Sequence, residues 1–431
     1  MDKLQQIRGT HDLLPTDWAR HHYIAETARH HAALHGFNSV ATPILEYRDV
    51  FVRAVGEATD IVSKEMFRVT PPAGDEGGSE REAMVLRPEN TAAIIRAVMN
   101  GNLTEHMPQR LFYHGPMFRY ERPQKGRLRQ FHQIGAEILG VASPLADIEA
   151  IVLAYQTLCA MLPDAGVGHF RLLLNSLGDS ESRIAYRTAL VAHFSNPKFT
   201  LSATSRERLV KNPLRILDSK SPEDQAAIES APQLQHFLNE ASREFFDRVQ
   251  MGLAALGIPF TLESKLVRGL DYYSHTVFEF VTDKLGAQGT ILAGGRYDGL
   301  MAAMGGPALP GIGWAAGVER LAELIDSAKI PPPQKPIMLI AFGNAAVENC
   351  GLELAARLRE AGFAVEFAMQ QPDHKRLPKG LQHANRIGTE IVLVMGEAEF
   401  AAGTIEVKNM ASRDAQKISV SELPDFLQNL R

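Results

Sequence analysis

Between Phe131 and Leu139 polar and apolar side chains alternate: Ile134, Ala136 and Ile138 fall on one side, Gln133, Gly135 and Glu137 on the other. That period of two predicts a strand with one face on a core. Upstream, Trp18, Ala25, Ala28 and Ala32 recur at helical spacing between Pro15-Thr16-Asp17, a helix start, and Gly36, a stop. Phe37 to Leu45 reads as a strand, and Pro43 within it suits an edge position. Residues 71–82 are rich in Pro and Gly and predict a loop; residues 111–139 predict two strands joined by a charged hairpin. Residues 180–255 lack alternation and predict helices, 262–295 return to strands with Gly-rich turns, and Gly317 to Ile325 reads as a helix.

After Pro331-Pro332-Pro333 the pattern changes. Ile337–Phe342, Ala364–Ala368 and Ile391–Met395 are short apolar strands, separated by helices at Val347–Ala361 and Leu377–Ile387. This order predicts a small parallel α/β domain. The chain is therefore expected to divide into an α+β domain over residues 1–325 with a helical insertion at about 180–255, a linker at 326–336, and an α/β domain over 337–431.

Of the 431 residues, 45% are apolar and 22% charged, which supports several globular cores. No stretch approaches the roughly 18 consecutive apolar residues of a membrane span, and Met1 to Gln6 has no signal-peptide character. Cys159 and Cys350 are the only cysteines and form no CxxC pair. A reducing cytoplasm is expected, and a structural thiolate metal site is not. A net charge of −5 opposes a surface coated with nucleic acid, yet residues 119–129 set Arg119, Arg122, Lys125, Arg127 and Arg129 against Glu121 alone. That local excess suits phosphate binding or, equally, a solvated hairpin.

The polar face of the 131–139 strand sets an amide and a carboxylate on either side of a glycine. It leaves space for a small ligand with a positive group, or simply faces water. Arg119, next to Glu121, has the fork geometry that grips phosphate. Leu266–Tyr273 gathers Arg268, Asp271, Tyr272 and Tyr273 about Gly269, and Ala293–Gly299 gathers Arg296, Tyr297 and Asp298 after a glycine pair. Glycines let a backbone approach a ligand closely, although each stretch alone also reads as a hairpin. Gly311-Ile312-Gly313-Trp314-Ala315-Ala316 matches a dinucleotide fingerprint but follows Pro307–Pro310 rather than a strand, which argues against that reading. There is no GxxxxGK[ST] loop. His21-His22 and His30-His31 lie on one helix without a nearby acidic cluster and read as surface histidines rather than metal ligands.

Taken together, these stretches carry a resemblance. Phe118 to Gln133 resembles motif 2 of class II aminoacyl-tRNA synthetases, Gly317-Val318-Glu319-Arg320 resembles motif 3, and the helix and strand ending at Pro43 resemble motif 1. Leu266–Tyr273 and Ala293–Gly299 resemble the two histidine-binding signatures of bacterial-type histidyl-tRNA synthetases. Asn212–Lys220 resembles the entry to their helical insertion, and residues 337–431 resemble their anticodon-binding domain. The resemblance covers the whole chain.

It implies a class II antiparallel sheet flanked by helices, and a histidine–tRNA ligase that forms histidyl-adenylate from histidine and ATP. The histidyl group then passes to the 3′ end of histidine tRNA, releasing AMP and pyrophosphate. ATP is implied as a substrate with Mg²⁺, with no tightly bound protein metal. A cytoplasmic homodimer without membrane association is also implied. Arg119 and Arg320 are implied to hold ATP phosphates, with Glu121 near the adenine end. Glu89, Gln133 and Glu137 are implied to hold the histidine ammonium, with Thr91 beside them. Arg268 would bridge the histidine carboxylate and the α-phosphate, while Tyr273 and Tyr297 would meet the imidazole; Arg268, Arg119 and Arg320 form the implied catalytic set. Two departures stand out. Asn90 occupies a position where the family usually shows Gly, and Trp314 replaces a smaller Phe. Two rivals are a histidine-sensing regulatory relative, which would lack the C-terminal domain, and a threonyl or glycyl enzyme, which the two histidine stretches oppose.

Overall fold

The computed structural model describes residues 3–430 apart from 58, 71–82, 123–125, 163–168, 218, 267–271 and 370–372. The chain divides into two compact units after Ile330. In the first, Pro15 starts helix α1 (Pro15–Leu34), and Gly36, at φ 76°, follows its end. The strand expected over 37–45 shrinks to β1 (Asn38–Ser39), an edge strand parallel to β2 (Gln109–Phe118). Pro43 has no N–H to extend it. β2 pairs antiparallel with β3 (Gln130–Leu139) along its whole length.

Five more strands complete the sheet: β4 (Arg171–Ser176), β5 (Thr261–Leu262), β6 (Ser274–Val281), β7 (Thr290–Arg296) and β8 (Gly311–Gly317). The order is β1-β2-β3-β8-β7-β6-β4-β5, antiparallel except at the two edge pairs. The stretch with the dinucleotide-like glycines is thus central strand β8, not a phosphate loop.

Helices cover both faces of this sheet. Helix α2 (Thr91–Asn100) packs on the same side as Tyr113 and Tyr297. Helix α3 (Pro144–Met161), capped by Ser143, packs with α1 against Ile134, Ala136 and Ile138 on the opposite side. Helix α3 is apolar and long enough to cross a bilayer, but Ile151, Leu153, Ala154 and Leu158 are buried in this core. The 180–255 stretch is helical as expected: α4 (Ser180–Phe194), α5 (Ala203–Lys211), α6 (Gln225–Glu229) and α7 (Glu240–Ala255). It does not form one body, because α4 joins the core of Tyr113 while Phe246, Val249 and Leu253 of α7 join that of α1 and α3. The helix expected from Gly317 is short: Gly317 ends β8, and α8 spans Val318–Ala322.

In the second unit β9 (Ile337–Ala341), β10 (Val365–Phe367) and β11 (Ile391–Met395) are parallel. Strands β12 (Thr404–Asn409) and β13 (Ala415–Ser419) add antiparallel pairs, so the sheet is mixed rather than parallel. Helices α9 (Ala345–Glu360) and α11 (Leu423–Asn429) pack in one core, and α10 (Asp373–Ile387) packs in the other.

Candidate active site

A cavity of about 490 Å³ opens on the sheet face that carries Tyr113 and Tyr297. On its floor Gly313, Ala315 and Gly317 of β8 lie opposite Glu137, Gly135 and Gln133 of β3. The glycines make notches. A Cβ on Gly313 would overlap the Glu137 carboxylate, one on Gly135 the Tyr113 phenol, and one on Gly311 the Tyr297 ring. The space expected above Gly135 is therefore filled by Tyr113, its register partner on β2. Trp314, paired with Ala136, packs in the core on the other face and also contributes to the cavity lining.

Glu137 is the deepest polar group. Thr91 Oγ1 donates to its Oε1 at 2.7 Å, and the Tyr297 hydroxyl donates to its Oε2. Burial pushes the Glu137 carboxyl up to about 8; the Tyr297 and Thr91 hydrogen bonds pull it down, and Glu89 pushes it up. Glu89 accepts from the main-chain N–H groups of Thr91 and Ala92 at 2.7 and 3.0 Å, at the start of α2. Burial raises its pKa too, against the pull of those N–H groups. Asn90 sits at φ −118°, so the turn needs no glycine-like backbone, and its side chain accepts from Thr42 at 2.8 Å. Burial holds the phenols of Tyr113, Tyr272 and Tyr297 well above the usual range, so they remain O–H groups. Tyr272 packs on Tyr273 at 4.6 Å and on Tyr297 at 5.7 Å between ring centroids.

Arginines line the same cavity. Arg119 donates to the Pro88 carbonyl at 2.9 Å, lies 5.3 Å from the Phe131 ring and is 3.8 Å from Glu121. Arg127 reaches Glu121 at 3.3 Å. Arg320 donates to the carbonyls of Gly126 at 3.3 Å and Thr290 at 2.6 Å. Glu89, Thr91, Arg119, Glu121, Gln133, Tyr273, Tyr297 and Arg320 thus line one cavity, with Glu137 buried beside Gly313. Arg268 and Lys125 lie outside the described residues. The sequence reading missed Tyr113, although alternation with Leu111 puts it on a core face of β2. It also missed Arg183, Arg208 and Arg215, which line the cavity from the 180–255 region; no local pattern signals that.

His21 is not a surface residue: it is buried, and its Nδ1 has no protein partner. With His132 and Glu319 it forms a group whose ligand-type atoms lie within 4.8 Å of one another, the residues here that could hold a metal. The acidic member comes from a distant helix, which is why the sequence hid it. The Glu319 carboxylate is engaged in hydrogen bonds with His132.

Known proteins share this architecture. Residues 9–321 match the histidyl-tRNA synthetase family, and residues 336–430 match the anticodon-binding-domain family. The histidine–tRNA ligase of Rhodospirillum rubrum is 49% identical over 99% of both chains, and that of Gluconacetobacter diazotrophicus is 47% identical over the full length of both. Apo histidyl-tRNA synthetase of S. aureus superposes with a TM-score of 0.80 at 30% identity, over 98% of this chain and 99% of that one. A cavity lined by arginines, with the carboxyl of Glu137 buried beside it, is thus set in a chain that belongs, over nearly its whole length, to the histidyl-tRNA synthetase family.

Proposed function

We propose that this single cavity serves the ligase reaction with histidine at its buried end and ATP at its arginine end. The observation that carries this reading is Glu137, buried beside Gly313 and held by Thr91 and Tyr297, next to a cavity that Arg119 and Arg320 line. A histidine carboxylate oxygen attacks the α-phosphorus of ATP, an acyl–phosphate bond forms, and pyrophosphate leaves. The carboxylate is already ionised and needs no base, so catalysis is positioning plus stabilisation of phosphoryl charge. A terminal ribose hydroxyl of tRNA then attacks the acyl carbon, and AMP leaves.

Arg119 and Arg320 hold the phosphates, and Glu121 lies toward the adenine. Glu89 and Gln133 hold the ammonium with Thr91 beside them. The hydrogen bond between Glu137 and Tyr297 supports placing Glu137, with Tyr273, at the imidazole rather than at the ammonium. A buried polar partner of this kind rejects analogues without a ring N–H. Arg268 bridges the histidine carboxylate and the α-phosphate, a role that rests on the sequence resemblance. Mg²⁺ entering with ATP would neutralise phosphate charge beside Arg119 and Arg320.

The second unit reads the anticodon, and its cleft lined by Arg376, Lys379 and Arg386 supports phosphate contacts. The enzyme works in the cytoplasm as a homodimer through the α1 and β1 region; light scattering that returned a monomer mass for active enzyme would contradict the dimer. ATP–pyrophosphate exchange with a panel of amino acids tests the whole reading. Exchange with histidine alone is expected, and exchange with threonine or glycine, or none at all, would overturn it.

A further inference from the structure

We propose that Glu319 and His132 form a clamp that fixes the orientation of Arg320, making both positioning residues for ATP. The inference deepens the assignment of Arg320 to ATP and rests on it. Helix α8 has five residues, too few to hold its own rotation. Val318 and Leu321 are buried on its apolar side, but apolar contact has no direction. Direction comes from hydrogen bonds. Both oxygens of Glu319 accept the main-chain N–H of His132, at 2.9 and 3.0 Å, and Oε1 lies 2.9 Å from the ring Nδ1. Bonds to an ionised acceptor are roughly twice as strong as neutral ones.

The clamp joins separate parts of the cleft. His132 immediately precedes Gln133, which pairs in register with Gly317, the last residue before α8. With Glu319 anchored, the next side chain, Arg320, is turned over the cavity and donates to Gly126 on one side and Thr290 on the other. The ring of His132 is held in turn: His21 meets it edge-on at 5.5 Å and His114 stacks at 6.1 Å between centroids.

The test is a double-mutant cycle in the full-length enzyme: Glu319→Ala, Arg320→Ala and the pair. ATP–pyrophosphate exchange gives kcat and KM for ATP, and equilibrium dialysis gives histidine affinity without ATP. Arg320→Ala is expected to cut kcat/KM for ATP by about 100-fold, Glu319→Ala by about tenfold, and the pair by no more than Arg320→Ala alone, because the clamp acts through Arg320. Histidine affinity should stay within about twofold. Glu319→Gln, which keeps an acceptor oxygen, should restore part of the loss. His132→Phe, which keeps the main-chain N–H, should lose about threefold. These two variants run the same cycle if Glu319→Ala does not fold. Losses that multiply in the pair, or histidine affinity falling in step with ATP, would overturn the clamp. Full activity of Arg320→Ala would instead overturn the role of Arg320.

Discussion

Glu137 shows how one carboxyl can be fully buried, hydrogen-bonded on both oxygens and scarce in charge at once. Its two oxygens are committed to Thr91 and Tyr297, and the missing Cβ of Gly313 gives them room. Glu137→Gln should raise the histidine KM in pyrophosphate exchange and leave that for ATP nearly unchanged; a buried polar group left unsatisfied commonly costs about 1–3 kcal/mol. An unchanged histidine KM would remove Glu137 from the site. Its proton also leaves a mark on stability. The folded-state pKa of about 8 lies above the ordinary 4.5, so between those values the folded chain keeps a proton that the unfolded chain has lost. Stability from this group therefore falls as pH rises from 4.5 to 8, and the loss is complete above 8. Urea denaturation at pH 5 and pH 8.5 should show a larger loss for the wild type than for Glu137→Gln. Equal losses would mean that the carboxyl is ionised at neutral pH.

At the scale of elements, the end of β7 is fixed by a buried ion pair. Arg296 is fully buried and donates to both Asp147 oxygens, to the Val141 carbonyl at 3.0 Å, to the Ser143 carbonyl at 3.2 Å and to Asp298 at 2.9 Å. It lies 5.1 Å from the Phe245 ring. This ties β7 to the start of α3, and the next residue, Tyr297, reaches Glu137 from the other face. Arg296→Leu should destabilise the protein by about 3–5 kcal/mol in urea denaturation, because Asp147 is left buried and alone. Arg296→Leu with Asp147→Leu should recover much of that. A double variant as unstable as the single one would show that the other contacts of Arg296 matter more than the pair.

The same elements show what the sequence could reveal. β3 was legible because one of its faces meets a core and the other a ligand cleft, which leaves an alternation behind. β8 was obscure: glycines occupy cleft-facing positions there to make room for side chains of other strands, and glycine carries no period. β12 was missed although Thr404 to Lys408 alternates cleanly between apolar and polar residues. His21 was misread because its neighbour Glu319 comes from the far end of the unit, and no local pattern encodes such a meeting. The residues singled out in the sequence that line the cavity lie in short motifs where several chemical requirements coincide within a few positions.

On the scale of the whole molecule, the two units have separate cores: one unit is built around the large sheet and the other around β9 and β11. Cutting the chain after Ile330 should therefore leave histidyl-adenylate formation intact and depress tRNA charging, as measured by pyrophosphate exchange beside aminoacylation. Charging at the wild-type kcat/KM would exclude an anticodon role for the second unit, and loss of adenylate formation would make it a buttress for the first.

Separate cores joined through Pro331–Pro333 also bear on calorimetry. Two units, each with its own hydrophobic interior, are not obliged to melt in one cooperative step. A heat-capacity scan of the intact chain should resolve two endotherms. On the proposed placement of both substrates in the first unit, histidine with a non-hydrolysable ATP analogue should carry one endotherm upward by mass action and leave the other where it was.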